Sequence, residues 1–243
     1  MNSIISIFKR EFQSYFATPL AYVFLTIFLI LSSYQTFANG FFESRQASLR
    51  IFFSNMPILF ILLVPAIAMR LWSEERKSKS IELLFTLPIT TTQAVLGKFF
   101  AAWLMLFVAL FLTFPIVISV AYLGTPDYGP IITGYVGSVL LAGSYLSISL
   151  FFSALTKNQV ISFILSVVAC GCFLYAGSPS ILESLQNKLP INIIEIIESL
   201  SFISRFESIQ RGVLQLRDIS FFLVLGAGWL WATVVILEER KAE

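Results

Sequence analysis

The chain has 243 residues, of which 57% are hydrophobic and 12% are charged, whereas a typical soluble domain has about 25% charged residues. Together with a mean hydropathy of +0.86, this excludes an ordinary soluble enzyme and indicates an integral membrane protein. The net charge of +2 gives no basic excess for binding nucleic acid, and the sequence contains no histidine, the commonest metal ligand. Cys170 and Cys172 lie in an apolar run, which predicts two buried hydrophobic side chains rather than a disulfide or a metal site.

The first 18 residues form an amphipathic segment that precedes the first apolar run. Its apolar residues recur at three- and four-residue spacing, which predicts a helix in the membrane interface; they are Ile4, Ile5, Phe8, Phe12, Tyr15 and Phe16. Lys9 and Arg10 belong to the other face, and Pro19 ends the helix before the first span. The pattern fits a membrane-surface anchor, and it also fits an elbow helix that contacts a cytoplasmic partner.

Six charge-free intervals predict six membrane-spanning helices in a single all-α membrane domain covering residues 1–243, because about 20 apolar residues cross the hydrocarbon core. The predicted spans are 20–40, 52–71, 99–123, 132–155, 159–177 and 219–237. An even number of spans puts both termini on one side, and that side would carry 10 of the 16 Lys and Arg residues. The positive-inside rule therefore predicts cytoplasmic termini. Ionisable side chains fall outside the middle of every predicted span, which argues against an ion-coupled carrier.

The inner loop 72–98, between spans two and three, has charged residues followed by an apolar stretch at 81–87. A solvated hairpin does not need such an apolar face, so the loop is expected to contain a short helix. This helix would rest on the bilayer or, as we favour, dock onto another protein. The pair Gly97-Lys98 cannot end a Walker A phosphate-binding loop, because Phe99 stands where Ser or Thr is required.

At these positions the chain resembles the ABC-2 type permeases of ATP-binding-cassette exporters. The family pattern is an acidic pair with a basic residue, then Gly-Thr-x-Glu-Leu-Leu, a proline, and Gly-Lys opening the third span. The matching residues are Glu74, Glu75, Arg76, Glu82, Leu83, Leu84, Pro88, Gly97 and Lys98, whereas Lys79 and Ser80 stand at the Gly and Thr positions. The opening segment, with Phe8, Lys9, Arg10, Glu11 and Phe12, is most similar to the permease of gliding-motility-associated ABC transporters.

The resemblance implies a non-catalytic permease subunit of an exporter in a bacterial inner membrane, driven by a separate ABC ATPase subunit that uses ATP and Mg²⁺. The chain itself is expected to bind no cofactor. Two surfaces are implied to couple it to the ATPase: the N-terminal helix with Phe8, Lys9, Arg10 and Phe12, and the inner loop with Glu74, Glu75, Arg76, Ser80, Glu82, Leu83, Leu84, Leu87, Pro88, Gly97 and Lys98. Six spans are half a translocation unit in this family, which implies a second permease copy or a related permease. The gliding-type resemblance implies an accessory subunit with an extracytoplasmic domain.

The segment 178–218 is predicted to be extracytoplasmic, with an amphipathic helix around 193–200 at the outer interface or re-entering the membrane. Near its end, Arg211, Arg217 and Asp218 are expected to be exposed caps, with contacts to an outer partner as the less favoured alternative. A set of polar residues within or beside the spans is predicted either to line a substrate pathway or to make hydrogen bonds between helices; it comprises Gln35, Asn39, Asn55, Ser144 and Ser147.

The sequence leaves two classes of function open. The first is the permease subunit described above, and the second is a non-transporting membrane scaffold that anchors an extracytoplasmic partner. ATP-dependent substrate movement by the reconstituted complex would separate them. An intramembrane enzyme is disfavoured, because the sequence offers no catalytic constellation of acids, histidines or thiols.

Overall fold

The computed structural model describes residues 2–38, 41–42, 46–81, 88–178, 183 and 191–240. Within these ranges the regular structure is entirely helical, which confirms the predicted all-α class. The helices are α1 (Asn2–Ala17), α2 (Pro19–Ala38), α3 (Arg50–Ala68), α4 (Arg70–Lys77), α5 (Thr91–Phe111), α6 (Phe114–Leu123), α7 (Tyr128–Leu155), α8 (Gln159–Tyr175), α9 (Ile191–Ser199), α10 (Phe202–Gln210) and α11 (Leu216–Glu239).

Five helical segments of the described chain are long and apolar enough to cross a membrane. They are Ala21–Ala38 in α2, Arg50–Lys77 in α3 and α4, Thr91–Leu123 in α5 and α6, Tyr128–Leu155 (α7) and Leu216–Glu239 (α11). The chain is therefore a multi-pass membrane protein. Helix α8 is apolar but only 17 residues long, so the predicted crossing at 159–177, and with it the count of six spans, stays a prediction.

The helices beside the inner loop extend further than the hydropathy pattern predicts. Helix α5 begins at Thr91, before residue 99, because Thr90 and Gln93 form a reciprocal capping box. The Gln93 N–H donates to Thr90 Oγ1 at 3.3 Å, and the Thr90 N–H donates to Gln93 Oε1 at 3.2 Å. Helix α4 continues the second span to Lys77. The loop predicted over 72–98 is therefore helical at both of its ends.

Helix α7 is central to the bundle and packs against α3, α4, α5, α8, α10 and α11. Small residues allow these neighbours to approach it closely, and most of its length is buried. At Gly137 an added Cβ atom would lie 2.6 Å from Ile209 Cγ2, so a larger residue there would displace α10. By contrast, α11 exposes large apolar residues such as Leu223, Val224 and Trp231, as expected for a surface that contacts lipid.

Two expectations about individual side chains are wrong. Asp218 is buried rather than exposed, because its carboxylate accepts a hydrogen bond from Arg205 at 3.3 Å and the two charges neutralise each other away from solvent. Its neighbour Arg217 is exposed, as expected. Cys172 is exposed whereas Cys170 is buried, since residues two apart lie on nearly opposite faces of a helix.

Candidate functional site

Lys98, in the second turn of α5, is a buried lysine at which three helices meet. Only 1% of the residue is exposed. Its ammonium group donates to Glu75 Oε1 at 2.7 Å, to Glu11 Oε1 at 3.3 Å and to the Leu71 carbonyl at 3.0 Å, so each of its three N–H donors has an acceptor. Since Glu11 belongs to α1 and Glu75 to α4, this one side chain links α1, α4 and α5.

Two further side chains surround this lysine, and we name the five residues Arg10, Glu11, Trp72, Glu75 and Lys98 the Lys98 cluster. The Trp72 ring is fully buried, and its centroid lies 5.0 Å from Lys98 Nζ, a distance typical of a cation–π contact. Arg10 donates to Glu11 Oε1 at 2.8 Å and lies 4.0 Å from Glu75 Oε1. Two cations thus balance two carboxylates, and this pairing allows the charge of Lys98 to be buried.

The ionisation of Glu11 reflects two opposing influences. Burial alone would raise the pKa of its carboxyl group. The positive charges of Lys98 and Arg10, and the hydrogen bonds they donate, outweigh burial and hold this pKa below its ordinary value of 4.5. Glu11 is therefore ionised at neutral pH, and the folded state stabilises its ionised form.

Gly97 allows α1 to lie directly against α5 beside the Lys98 cluster. A Cβ atom added at this position would lie 2.8 Å from Ile7 Cγ2 and 3.4 Å from the Ile4 carbonyl oxygen. Ile7 is buried in this contact, so a larger residue at 97 would push α1 away from α5. Gly97 and Lys98, predicted as part of a coupling surface, therefore lie in the interior at a contact between helices.

Ser153 of α7 determines the junction between α3 and α4. Its hydroxyl oxygen accepts hydrogen bonds from the Trp72 N–H at 3.1 Å and the Ser73 N–H at 3.2 Å, and it donates to the Met69 carbonyl at 3.0 Å. A side chain that enters the helical hydrogen-bond ladder interrupts a helix, which accounts for the break at Met69. Helix α4 is thus attached to the central helix α7 as well as to Lys98.

The end of α4 is a turn that glycine would fit better than the residue present. Lys79 has a φ of +58°, a left-handed conformation that favours glycine. Ser80 Oγ donates to the Glu75 carbonyl at 3.4 Å and Ser78 Oγ donates to the Glu74 carbonyl at 2.9 Å, which satisfies carbonyl groups that a helix end leaves free. Lys79 and Ser80 stand at the Gly and Thr positions of the permease pattern. Those two residue types therefore have a physical reason: glycine adopts the left-handed turn, and the hydroxyl group caps the helix.

The other residues predicted for coupling differ in their exposure. The exposed ones are Lys9, Arg10, Glu74 and Pro88, and the half-buried ones are Phe8, Phe12, Glu75, Arg76 and Ser80. The Arg76 guanidinium donates to the Ala154 carbonyl of α7. Glu82, Leu83, Leu84 and Leu87, together with Asn39 of the predicted pathway set, lie outside the described residues. The N-terminal helix and the start of the inner loop, predicted as two surfaces, thus form one contiguous structure joined by Lys98.

The predicted pathway serines make hydrogen bonds inside the bundle. Ser144 Oγ donates to the Phe222 carbonyl of α11 at 3.2 Å, and Ser147 Oγ donates to the Ser144 carbonyl at 2.8 Å. The Ser144 contact joins α7 to α11, which matches the alternative role of hydrogen bonding between helices, whereas the Ser147 contact lies within α7. Gln35 and Asn55 are half-buried, and Gln35 Oε1 and Asn55 Nδ2 have no hydrogen-bond partner within the described part of the chain. A pathway role for these polar residues stays a prediction.

Sequence reasoning missed three residues of this site, namely Glu11, Trp72 and Ser153. A signal for Glu11 exists, since it lies four residues after Ile7 and four before Tyr15, on the packed face of α1. An acid on that face requires a cation as partner. Trp72 and Ser153 have no comparable signal, because their roles depend on contacts between helices that are distant in the sequence.

The sequence signature of the ABC-2 family transporter proteins matches residues 27–237. The match covers most of the chain and includes all of α3 to α10. It begins after α1, so Glu75 and Lys98 of the Lys98 cluster lie within it, whereas Arg10 and Glu11 lie outside. No curated protein matches the chain at a significant level.

Proposed function

Since the chain belongs to the ABC-2 family of transporter proteins, we propose that it is the permease subunit of an ATP-driven exporter, moved by a separate ATPase that binds its inner face. Family membership makes it a membrane subunit of an ABC transporter, a kind of subunit that is generally not itself catalytic. Beyond family membership, the proposal specifies three things: that transport is outward, that a separate ATPase drives it, and which residues transmit the movement of that ATPase. It also includes the bacterial inner membrane and cytoplasmic termini.

The Lys98 cluster is the observation that supports coupling best. Lys98 joins α1, α4 and α5 through ion pairs of 2.7 and 3.3 Å. Helix α4 ends one apolar segment of membrane-spanning length and α5 begins another. Because buried charges that form ion pairs resist separation, a force on α1 or α4 would move both segments together. We name the junction of α1 and α4 at Lys98 the corner. An ATPase that closes on ATP could push on this corner and tilt the bundle.

The contact with the ATPase is proposed to involve exposed residues on both helices of the corner. Lys9 on α1 and Glu74 on α4 are exposed and carry opposite charges. Such charges set the register and the encounter rate of an interface more than its affinity. The apolar residues Leu83 and Leu84 of the inner loop are proposed to supply the buried contact, since apolar anchors dominate the binding energy of most interfaces.

The proposed complex contains two permease subunits, identical or related, and two ATPase subunits that bind ATP and Mg²⁺. An accessory subunit with an extracytoplasmic domain is proposed from the similarity of residues 8–12 to gliding-type permeases. Membrane lipid is expected to contact the exposed apolar face of α11, which includes Val224 and Trp231.

Co-purification tests the proposal. Tagged permease should retain an ATPase subunit, and Glu82→Lys should abolish this retention and the stimulation of ATP hydrolysis, because it reverses a charge in the proposed docking segment. Glu207→Lys is the matched control, since Glu207 is an exposed acid on α10, and it should leave both measurements unchanged. Full retention and full stimulation in the Glu82→Lys complex would contradict the proposed contact.

The same complex distinguishes a transporter from a scaffold. In sealed vesicles, ATP-dependent accumulation of an amphipathic substrate would support the exporter. Hydrolysis without accumulation, while an extracytoplasmic partner stays bound, would support a non-transporting scaffold instead.

A further inference from the structure

An apolar groove runs along the outside of the bundle where α1, α5 and α7 meet. Its first part has a volume of about 610 Å³ and is bounded by Ile5 and Phe8 of α1 and by Trp103 of α5. A second part of about 380 Å³ continues past Phe107. Because Trp103, Phe107 and Val139 line both parts, the two parts form one continuous groove.

The lining offers no hydrogen bond to a ligand. Trp103 Nε1–H already donates to the Val139 carbonyl at 3.0 Å, and the Tyr135 hydroxyl is paired with Thr113 Oγ1 at 2.9 Å. The other side chains that line the groove are aliphatic or phenyl groups. A ligand with polar groups inside the groove would lose most of its hydrogen bonds to water without replacement, so the groove favours a hydrocarbon chain.

The length of the groove suits a single extended chain. It follows α5 from Phe100 into the first residue of α6 at Phe114, a distance of roughly 21 Å at 1.5 Å per residue. One leaflet of a bilayer provides about 15 Å of hydrocarbon, half of the full thickness of about 30 Å. An acyl chain of ordinary length therefore fits along the groove.

A free cation lies at the α1 end of the groove. Lys9 is exposed and makes no ion pair with any described residue. It lies four residues after Ile5, which lines the groove, and residues at this spacing are neighbours on the helix surface. Arg10 beside it is already engaged with Glu11. The mouth of the groove thus offers one unpaired positive charge, which is complementary to a lipid phosphate.

We propose that this groove binds one acyl chain of an anionic phospholipid, with the phosphate group held near Lys9. The placement of this lipid in the inner leaflet rests on the cytoplasmic termini of the proposed function, whereas the binding of the chain in the groove does not. A lipid in this position would contact both the N-terminal helix and α5.

Native mass spectrometry of the purified permease, exchanged into detergent from phosphatidylglycerol and phosphatidylcholine bilayers, tests the proposal. The wild-type chain should retain one phosphatidylglycerol. Val139→Phe, which fills the groove, should lower this occupancy at least tenfold, whereas Val224→Phe on the exposed face of α11 should not. Lys9→Ala should reduce the preference for phosphatidylglycerol about fivefold, and Lys157→Ala, at another exposed lysine, should leave it unchanged.

A second measurement begins with the wild-type chain and does not require Val139→Phe to fold. Phosphatidylglycerol with brominated chains, added at low mole fraction to nanodiscs, should quench a saturable part of the tryptophan fluorescence of the wild-type chain. Trp103→Phe should remove that part. Quenching that rises in simple proportion to the brominated lipid would overturn the proposal, as would unchanged lipid retention in Val139→Phe.

Occupation of the groove by a second permease copy is a separate outcome of the mass measurement. If Val139→Phe converted a dimer to a monomer without loss of lipid, the groove would be a subunit interface and the lipid proposal would be wrong. All of these measurements use the permease without its ATPase. Failure of the coupling experiment with Glu82→Lys would therefore leave the result on lipid binding unaffected.

Discussion

Replacing Lys98 with methionine removes the buried cation and keeps a flexible side chain of similar length. It leaves Glu11 and Glu75 close together, with only 15% and 21% of their side chains exposed. Breaking a buried ion pair by removing one partner costs about 3–5 kcal/mol, and the remaining exposure places the expected loss near 3 kcal/mol. For a chain of this length, that loss corresponds to a fall in melting temperature of about 6–12 °C.

The assay is thermal unfolding of the purified permease in a single detergent at neutral pH. Lys157→Met is the control, because Lys157 lies exposed in the turn between α7 and α8 and its charge should contribute little to the melting temperature. Adding Glu75→Gln to Lys98→Met should recover part of the loss. In that double variant the one remaining carboxylate, Glu11, is still paired with Arg10 at 2.8 Å.

Equal melting temperatures for Lys98→Met and the wild-type chain would refute the reasoning, since the cluster would then contribute no stability. A loss without recovery in the double variant would also count against it. That result would attribute the destabilisation to packing beside Trp72 rather than to an uncompensated charge.

Other contacts of the same corner can be checked in the same unfolding assay. Because the folded protein holds the pKa of Glu11 below 4.5, its carboxylate stabilises the fold fully above that pH and loses this contribution as the pH falls through the folded pKa. Glu11→Gln should therefore flatten the acid side of the stability profile, and an unchanged profile would contradict the pairing. Lys79→Gly should raise the free energy of unfolding by about 0.5–1 kcal/mol by relieving the left-handed conformation, whereas Lys77→Gly, at the last residue of α4, should not raise it, because Lys77 does not have a positive φ. Gly97→Ala should lower it by about 1–3 kcal/mol through the contact with Ile7, and Ile7→Ala should rescue that variant if the contact is the cause.

The membrane-spanning segments can be predicted from the sequence because each one is a single continuous run of apolar residues. A run of about 20 apolar residues has few alternatives to a helix that crosses the bilayer, and the described segments Ala21–Ala38 and Tyr128–Leu155 agree with the predicted spans to within a few residues. The N-terminal helix can likewise be predicted, because its apolar residues recur every three or four positions. It ends at the residue before Thr18-Pro19.

The start of α5 shows where hydropathy fails. Lys98 interrupts the charge-free run, so the pattern places the beginning of the helix after it, whereas the helix begins at Thr91. A charge is tolerated there only because Glu11 and Glu75 neutralise it, and hydropathy contains no information about such partners. The capping box of Thr90 and Gln93 was the available signal, because it marks a helix start whatever residues follow.

The interior of the candidate site could not be predicted for a related reason. Glu11 and Lys98 are 87 positions apart, and Arg205 and Asp218 are 13 apart on different helices. Periodicity describes the faces of one helix at a time, so it identifies a buried face without naming what lies opposite. Lys98 was predicted as a functional residue from the permease pattern, but its burial and its role in joining α1 to α4 required the packed structure.

Photo-cross-linking from position 74 in the assembled complex tests the central claim most directly, namely that an ATPase presses on the corner formed by α1 and α4. A photoreactive residue in place of the exposed Glu74 should form a covalent adduct with the ATPase subunit in native membranes, while the same residue at position 207 should not. Adducts with lipid alone at position 74, in a complex that still contains its ATPase, would contradict the account.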